Sequence, residues 1–324
     1  MPADFSRLQA LSPVFLLQTL LSVNNMAANN DVDELFDIRN SFYLGSYQRC
    51  INEAQKTQPS SQDLKIERDA FMFRAYCAQG KYGVVLDEIN KSSPKELQPI
   101  RTLAEYLQNP TRRETIVNTV DQKLKSGDVD DYYLLIAAII YSHEQNYESA
   151  LRCLHASEAL ESAALTIQIY LSMDRVDLAK KELKRMHEID EDASLSQLAQ
   201  AWFNITVGGD KIQDAYYIFQ EMADKYGSSV LLLNGQAVCY LQMGKYEEAE
   251  FALQEALDKD NSNPETLLNL ASLSQHLGKS PEVSNRYISQ LKSSYPDHIF
   301  TRQYNSKEKE FDRLAVQYEP SVQA

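Results

Sequence analysis

A period of about 34 residues runs through the amino-acid sequence and limits the folds available to it. Gly244 and Gly278 lie 34 residues apart, and the same step separates Ala237 from Ala271. One small or apolar position recurs with nearly this step, at Cys50, Val85, Ile116, Ala150, Ala179, Ala215, Ala249 and Val283. A period of this length indicates an array of stacked structural units, each packed on its neighbours, rather than one globular core.

The residues inside each period resemble the tetratricopeptide repeat from about 32 to 291, most closely at 230–264 and least at 97–126. In the clearest repeat the expected positions are held by Leu233, Ala237, Tyr240, Gly244, Tyr246, Ala249, Leu253 and Ala256. Small residues let two antiparallel helices approach, and one pair cannot bury its apolar face alone. We therefore predict an all-α, right-handed superhelical solenoid of about eight tetratricopeptide-like helix pairs.

Local signals at helix starts support these boundaries. Asn263-Pro264 and Ser280-Pro281 each place a capping residue before a proline in the first turn. Ser93-Pro94-Lys95-Glu96 and Thr111-Arg112-Arg113-Glu114 match the capping box, in which the first and fourth side chains bond to each other's backbone N–H. These four stretches predict four helix N-termini.

The chain divides into three predicted segments. Residues 1–30 are expected to form an irregular or alternative-start extension, because the apolar stretch 8–23 lacks the basic cluster and small-residue cleavage site of a secretory signal. Residues 31–292 are predicted to form the solenoid. Residues 293–324 are predicted to be a C-terminal capping helix and tail, with apolar residues at mostly helical spacing from Phe300 to Tyr318.

Composition excludes several classes of function. The net charge is −14, which opposes binding to nucleic acid or to an anionic membrane surface. Only 10 glycines and 10 prolines are present, a low content of turn formers that favours long helices. The four cysteines are far apart and include no Cys-x-x-Cys, so we expect small core residues in a reducing compartment rather than a zinc site or disulfide framework.

Motifs for catalysis, cofactors and metals are missing from the sequence. The five histidines show no His-Glu-x-x-His and no pair four residues apart. Gly278-Lys279-Ser280 resembles the end of a phosphate-binding loop, but Leu273 stands where that motif needs a glycine. We therefore predict a protein that is not an enzyme and holds no cofactor or metal.

The first helix of each repeat should line the concave groove of the solenoid, through positions 2, 5, 9 and 12 of the repeat. The candidate partner-binding residues at these positions are Val32, Leu35, Phe42, Tyr132, Leu135, Ile139, Leu198, Trp202, Ile205, Leu231, Val238 and Leu241. An exposed groove this apolar would fit an amphipathic helix or hydrophobic segment of a partner. The alternative is that Trp202 and its neighbours pack between helices.

Longer stretches resemble the coatomer epsilon subunit family, at 32–55, 174–202, 208–226, 231–240 and 263–292. The resemblance is collinear over 32–318 and implies a non-catalytic coat component in Golgi-to-endoplasmic-reticulum transport. It also implies that the C-terminal domain of the coatomer alpha subunit is the direct partner, that beta-prime and other subunits belong to the same complex, and that membrane contact at the cytoplasmic face of the Golgi is indirect.

Two other functions stay open at this stage. A tetratricopeptide adaptor or co-chaperone would bind short peptide tails, although repeats four to eight carry no Lys or Arg at the groove positions that clamp a terminal carboxylate in chaperone-binding repeats. An enzyme with a site assembled from distant residues is the third alternative.

Overall fold

The computed structural model describes residues 33–127, 129–155 and 157–318, and every regular element within these ranges is a helix. Consecutive helices form eight pairs: α1 (Phe36–Tyr43) with α2 (Tyr47–Lys56), α3 (Gln62–Ala78) with α4 (Tyr82–Glu88), α5 (Gln98–Gln108) with α6 (Arg113–Ser126), α7 (Asp131–His143) with α8 (Tyr147–Leu154), α9 (Leu160–Ser172) with α10 (Val176–Asp190), α11 (Ser194–Val207) with α12 (Lys211–Tyr226), α13 (Val230–Gln242) with α14 (Tyr246–Lys259), and α15 (Pro264–His276) with α16 (Pro281–Ser294). A last helix, α17 (Ile299–Gln317), follows them.

The repeated small position lies where the two helices of a pair meet. Cys50, Val85, Ala150, Ala179, Ala215 and Ala249 have no exposed surface, Ile116 is buried, and Val283 is half-buried. Because a small side chain lets the helix axes approach, this position fixes the spacing within each pair. The predicted number of pairs and their register are therefore both present in the structure.

Two of the four predicted helix starts are confirmed, and one of them carries the expected side-chain cap. Asn263 accepts hydrogen bonds from the backbone N–H groups of Glu265 and Thr266, and Pro264 is the first residue of α15. Ser280 also precedes a helix that starts at a proline, but its side chain makes no capping bond.

The two predicted capping boxes are wrong. Ser93 lies just before the 3₁₀ turn Lys95–Leu97, Thr111 lies within the 3₁₀ turn Pro110–Arg112, and neither side chain caps an α-helix. Helix α6 instead starts at Arg113, directly after the second of these turns. The chain tightens into a 3₁₀ turn before the helix, so the capping geometry is never formed.

The C-terminal helix packs on the end of the array with its N-terminal half, where Tyr304 contacts the same cluster as Phe300 and Glu308 pairs with Lys292 at 2.8 Å. Phe300 packs with Leu268 and Leu291, and Thr301 is buried beside it. From Arg302 onward no residue of α17 is fully buried.

Two predictions concern residues outside the described part of the chain: the extension at 1–30, and Val32 as a groove residue. All four cysteines are buried and unpaired, as expected of core residues.

Candidate functional site

The first repeat of the solenoid contacts the sixth and seventh repeats, so the array closes on itself. Gly45, in the turn between α1 and α2, lies so near α13 that a Cβ added to it would be 3.0 Å from the Cβ of Leu231. Arg49 donates a hydrogen bond of 3.2 Å to the carbonyl oxygen of Tyr226. Arg113, at the start of α6, forms an ion pair of 3.2 Å with Asp297, just before α17. Closure brings together residues more than 170 positions apart.

A cleft lies along this closure and consists of two adjoining cavities. The larger, of about 600 Å³, is bounded by the α1–α2 turn on one side and by the starts of α13 and α15 on the other. The smaller, of about 300 Å³, is bounded by α3, α5 and α7 on one side and by the segment between α16 and α17 on the other. Four residues line both cavities, Ala78, Tyr82, Pro264 and Tyr295. We call the two cavities together the closure cleft.

The wall of the smaller cavity includes Tyr106, Arg113 and His143, whose side chains interact with one another and with Glu144. Tyr106 donates a hydrogen bond of 2.6 Å to Glu144, and burial together with this carboxylate raises the pKa of Tyr106 above its ordinary value. The guanidinium of Arg113 lies over the Tyr106 ring, 5.2 Å from its centroid. Burial, reinforced by the charge of Arg113, lowers the pKa of His143 to about 4. His143 is therefore a neutral imidazole at physiological pH.

The structure places the predicted groove residues inside the protein. All eleven that are described have a relative exposure of 9% or less. Two of them line the closure cleft, Ile139 in the smaller cavity and Leu231 in the larger. Whether any of the twelve contacts a partner stays a prediction, but the expectation that they form an exposed apolar groove is wrong.

The concave side is filled by the chain itself. The guanidinium of Arg74, on α3, lies 4.9 Å from the ring centroid of Phe42, 5.1 Å from that of Phe71 and 5.9 Å from that of Tyr132. Helix α1 also contacts α11, across the superhelix. First helices of distant repeats therefore cover each other's apolar faces.

Sequence reasoning missed the buried charges at the centre of this packing. Arg74 has no exposed surface and lies 3.7 Å from Glu161, on α9, which is 2% exposed. Burial raises the pKa of Glu161 to about 7, against the opposing effect of the Arg74 charge. The Arg74 Nε and the Tyr132 hydroxyl have no hydrogen-bond partner among the described residues. A single arginine inside the apolar run Phe71-Met72-Phe73-Arg74-Ala75-Tyr76 was the available signal.

Two further properties concern metals and membranes. Within the described ranges, no cluster of three or more His, Cys, Asp or Glu side chains has the arrangement needed to hold a metal ion. No helix there is both long and apolar enough to span a bilayer.

Residues 31–319 match the family model described as Coatomer epsilon subunit. Coatomer subunit epsilon-2 of Arabidopsis thaliana is 45% identical over 287 residues, covering 88% of this chain and 96% of the relative. Coatomer subunit epsilon of Dictyostelium discoideum is 41% identical over 290 residues, covering 86% of this chain and 97% of the relative.

Two solved structures share the fold at low sequence identity. A tetratricopeptide repeat protein from Parabacteroides merdae has a TM-score of 0.53 and 14% identity over 77% of this chain and 93% of its own. A chain of the APC/C hetero-tetramer Cut9-Hcn1 has a TM-score of 0.56 and 12% identity, over 83% of this chain and 53% of its own. These similarities confirm the predicted tetratricopeptide-like solenoid.

Proposed function

The chain belongs to the coatomer epsilon subunit family, and from that membership we propose that it binds and stabilises the C-terminal domain of the alpha subunit within the COPI coat. It is a non-catalytic component in Golgi-to-endoplasmic-reticulum and intra-Golgi transport. Beta-prime and other subunits share the complex, and the protein reaches the cytoplasmic face of the Golgi membrane only through them.

The closure cleft is the observation that carries this proposal. Its two cavities, of about 600 and about 300 Å³, form a continuous concave surface lined by side chains from both ends of the array. Concave sites with a few convergent polar groups are where folded domains accept ligand segments. A protruding segment of the alpha subunit would contact the first and last repeats at once and hold the closed form together.

Tyr82 and Tyr295 are the best anchors for such a segment. Both are half-buried, both line the two cavities, and they lie on opposite sides of the closure. Tyrosines that are partly desolvated before binding and fully desolvated after it commonly dominate the binding free energy of an interface. The deeply buried groove residues cannot serve in this way unless the helices separate.

The test is to mix the full chain with the C-terminal domain of coatomer alpha and to measure the mass by light scattering after size exclusion. We expect a stable 1:1 complex. The double variant Tyr82→Ser/Tyr295→Ser should bind at least about tenfold more weakly by calorimetry, which corresponds to about 1.4 kcal/mol. Tyr318→Ser is the matched control, because Tyr318 is 74% exposed at the far end of α17.

Two results would contradict the proposal at different levels. Separate peaks for the two proteins would rule out the alpha subunit as the direct partner. A 1:1 complex whose affinity is unchanged in the double variant would keep the partner and overturn the assignment of the cleft.

A further inference from the structure

Two neighbouring repeats carry an aromatic residue at a position that the fold leaves to solvent. Phe251 lies two residues after the buried Ala249, and Tyr217 lies two residues after the buried Ala215. Their side chains are 76% and 58% exposed. The equivalent residues of the other six repeats are all polar, namely Asn52, Asp87, Asn118, Arg152, Lys181 and Asn285. Packing within the solenoid therefore gives no reason for aromatic side chains at these two positions.

A row of ring contacts leads from Tyr217 to a groove between α13 and α14 that Phe251 also lines. The Tyr217 ring lies 5.8 Å from that of Tyr216, which lies 4.9 Å from the ring of Tyr240. The Tyr240 and Tyr216 hydroxyls are hydrogen-bonded at 2.8 Å. Tyr240 and Phe251 then line one open cavity of about 550 Å³. We call this cavity, with Tyr216 and Tyr217 at its edge, the acidic–aromatic groove.

All the charged side chains that line the acidic–aromatic groove are negative. Its lining contains three carboxylates, Glu247, Glu248 and Glu255, and no basic side chain. Glu255 is paired with Lys259 at 3.6 Å. Neither Glu247 nor Glu248 has an ion-pair partner among the described residues. The apolar floor is formed by Leu233 and Ala252.

We propose that the acidic–aromatic groove is a docking site for a basic amphipathic segment of a partner protein, with arginine or lysine on Glu247 and Glu248 and an apolar side chain beside Phe251. Arginine is the better fit, because its guanidinium stacks on aromatic rings and forms paired hydrogen bonds with carboxylates. A second copy of this chain or an anionic lipid surface would be repelled by the net charge of −14.

This site is separate from the closure cleft and does not depend on the proposed function. No residue lines both the groove and either cavity of the cleft. Variants of exposed groove residues should therefore leave binding of the alpha subunit unchanged. The two proposals can fail independently.

The test uses a fluorescein-labelled 15-residue helical peptide of leucine and arginine, with the leucines at positions i, i+3, i+4 and i+7, and fluorescence anisotropy with the full chain. A second peptide replaces every arginine by glutamate. We expect the basic peptide to bind and the acidic one not to bind. Phe251→Ser and the double variant Glu247→Gln/Glu248→Gln should each weaken binding by about tenfold or more.

Matched controls separate the groove from the general negative charge of the chain. Glu191→Gln/Asp192→Asn removes two exposed carboxylates elsewhere, and Phe311→Ser removes a phenylalanine that is 70% exposed on α17. Each control should change the affinity less than about twofold.

A photoreactive residue in place of one leucine supplies the second readout. Cross-links should map to α12–α14. Equal weakening by groove and control variants, no effect of the groove variants, or cross-links confined to other helices would each overturn the proposal. A melting temperature measured for every variant confirms that these surface changes leave the fold intact.

Discussion

The Phe219 ring of α12 lies directly against the backbone of Gly235 in α13. A Cβ added to Gly235 would be 2.7 Å from two carbons of that ring, closer than non-bonded atoms approach. Phe219 has no exposed surface, so the ring has no free space to move into. A glycine in the middle of a helix is here required by a close approach between neighbouring repeats, rather than by an unusual backbone angle.

Gly235→Ala should therefore destabilise the protein. Alanine favours a helix by about 1 kcal/mol over glycine, but overpacking against Phe219 should cost more, leaving a net loss of about 1–3 kcal/mol in the free energy of unfolding. Gly83→Ala is the matched control, because this helical glycine has nothing within 4 Å of its added Cβ. That variant should be neutral or stabilised by up to about 1 kcal/mol in urea unfolding. Equal effects of the two substitutions would contradict the packing described here.

Asn269→Ala should weaken the contact between the seventh and eighth repeats. Asn269 donates a hydrogen bond of 3.0 Å to the side-chain oxygen of Asn234, and Asn234 donates one of 2.8 Å to the Thr266 hydroxyl. Both hydrogen bonds are buried. Removing Asn269 leaves a buried amide oxygen without its donor, at a cost of about 1–3 kcal/mol. Asn285→Ala, on an exposed helix surface, should change the unfolding free energy by less than about 0.5 kcal/mol. Urea unfolding of both variants gives the comparison.

Glu161 and His143 should affect stability with opposite dependence on pH. Burial raises the pKa of Glu161 from 4.5 to about 7, so the folded chain keeps a proton that the unfolded chain releases. The stability contributed by Glu161 therefore falls as the pH rises through this window. Burial lowers the pKa of His143 from 6.5 to about 4, so the unfolded chain binds the proton and the stability contributed by His143 falls as the pH drops.

Single variants should separate these two opposing effects in urea unfolding between pH 4.5 and pH 8. Relative to wild type, Glu161→Gln should become more stable as the pH rises, by up to about 3 kcal/mol. His143→Asn should instead gain stability relative to wild type as the pH falls. Glu158→Gln, at an exposed carboxylate, is the control. A difference from wild type that is constant across the pH range would contradict the assignment for either residue.

Trp202→Asp should unfold the protein instead of only weakening a partner. The Trp202 side chain is 4% exposed, and an unpaired carboxylate there is among the most costly substitutions a core can receive, at more than about 4 kcal/mol. Trp202→Phe should be far milder, because the indole Nε1 has no hydrogen-bond partner among the described residues to lose. Circular dichroism melts of the two variants measure the difference. A folded Trp202→Asp protein would show that this residue faces an accessible groove after all.

The helix pairs could be predicted from the sequence because the packing that forms each pair involves residues close together along the chain. Ala215 and Ala249 recur one period apart, and neither has any exposed surface. The same local signal placed the end of the array before α17. The capping boxes at Ser93 and Thr111 failed because a 3₁₀ turn competes for the same backbone groups.

The sequence by itself therefore determined the repeat, its register and the buried face of each helix, since these depend on contacts between neighbours along the chain. Only the tertiary structure decided that Gly45 meets Leu231, that Arg74 lies against three aromatic rings, and that the expected groove closes into a cleft. The physical reason is that closure is the sum of small rotations between successive repeats. No single repeat carries the sum of these rotations, so the sequence could not show that α1 lies against α11 across the superhelix.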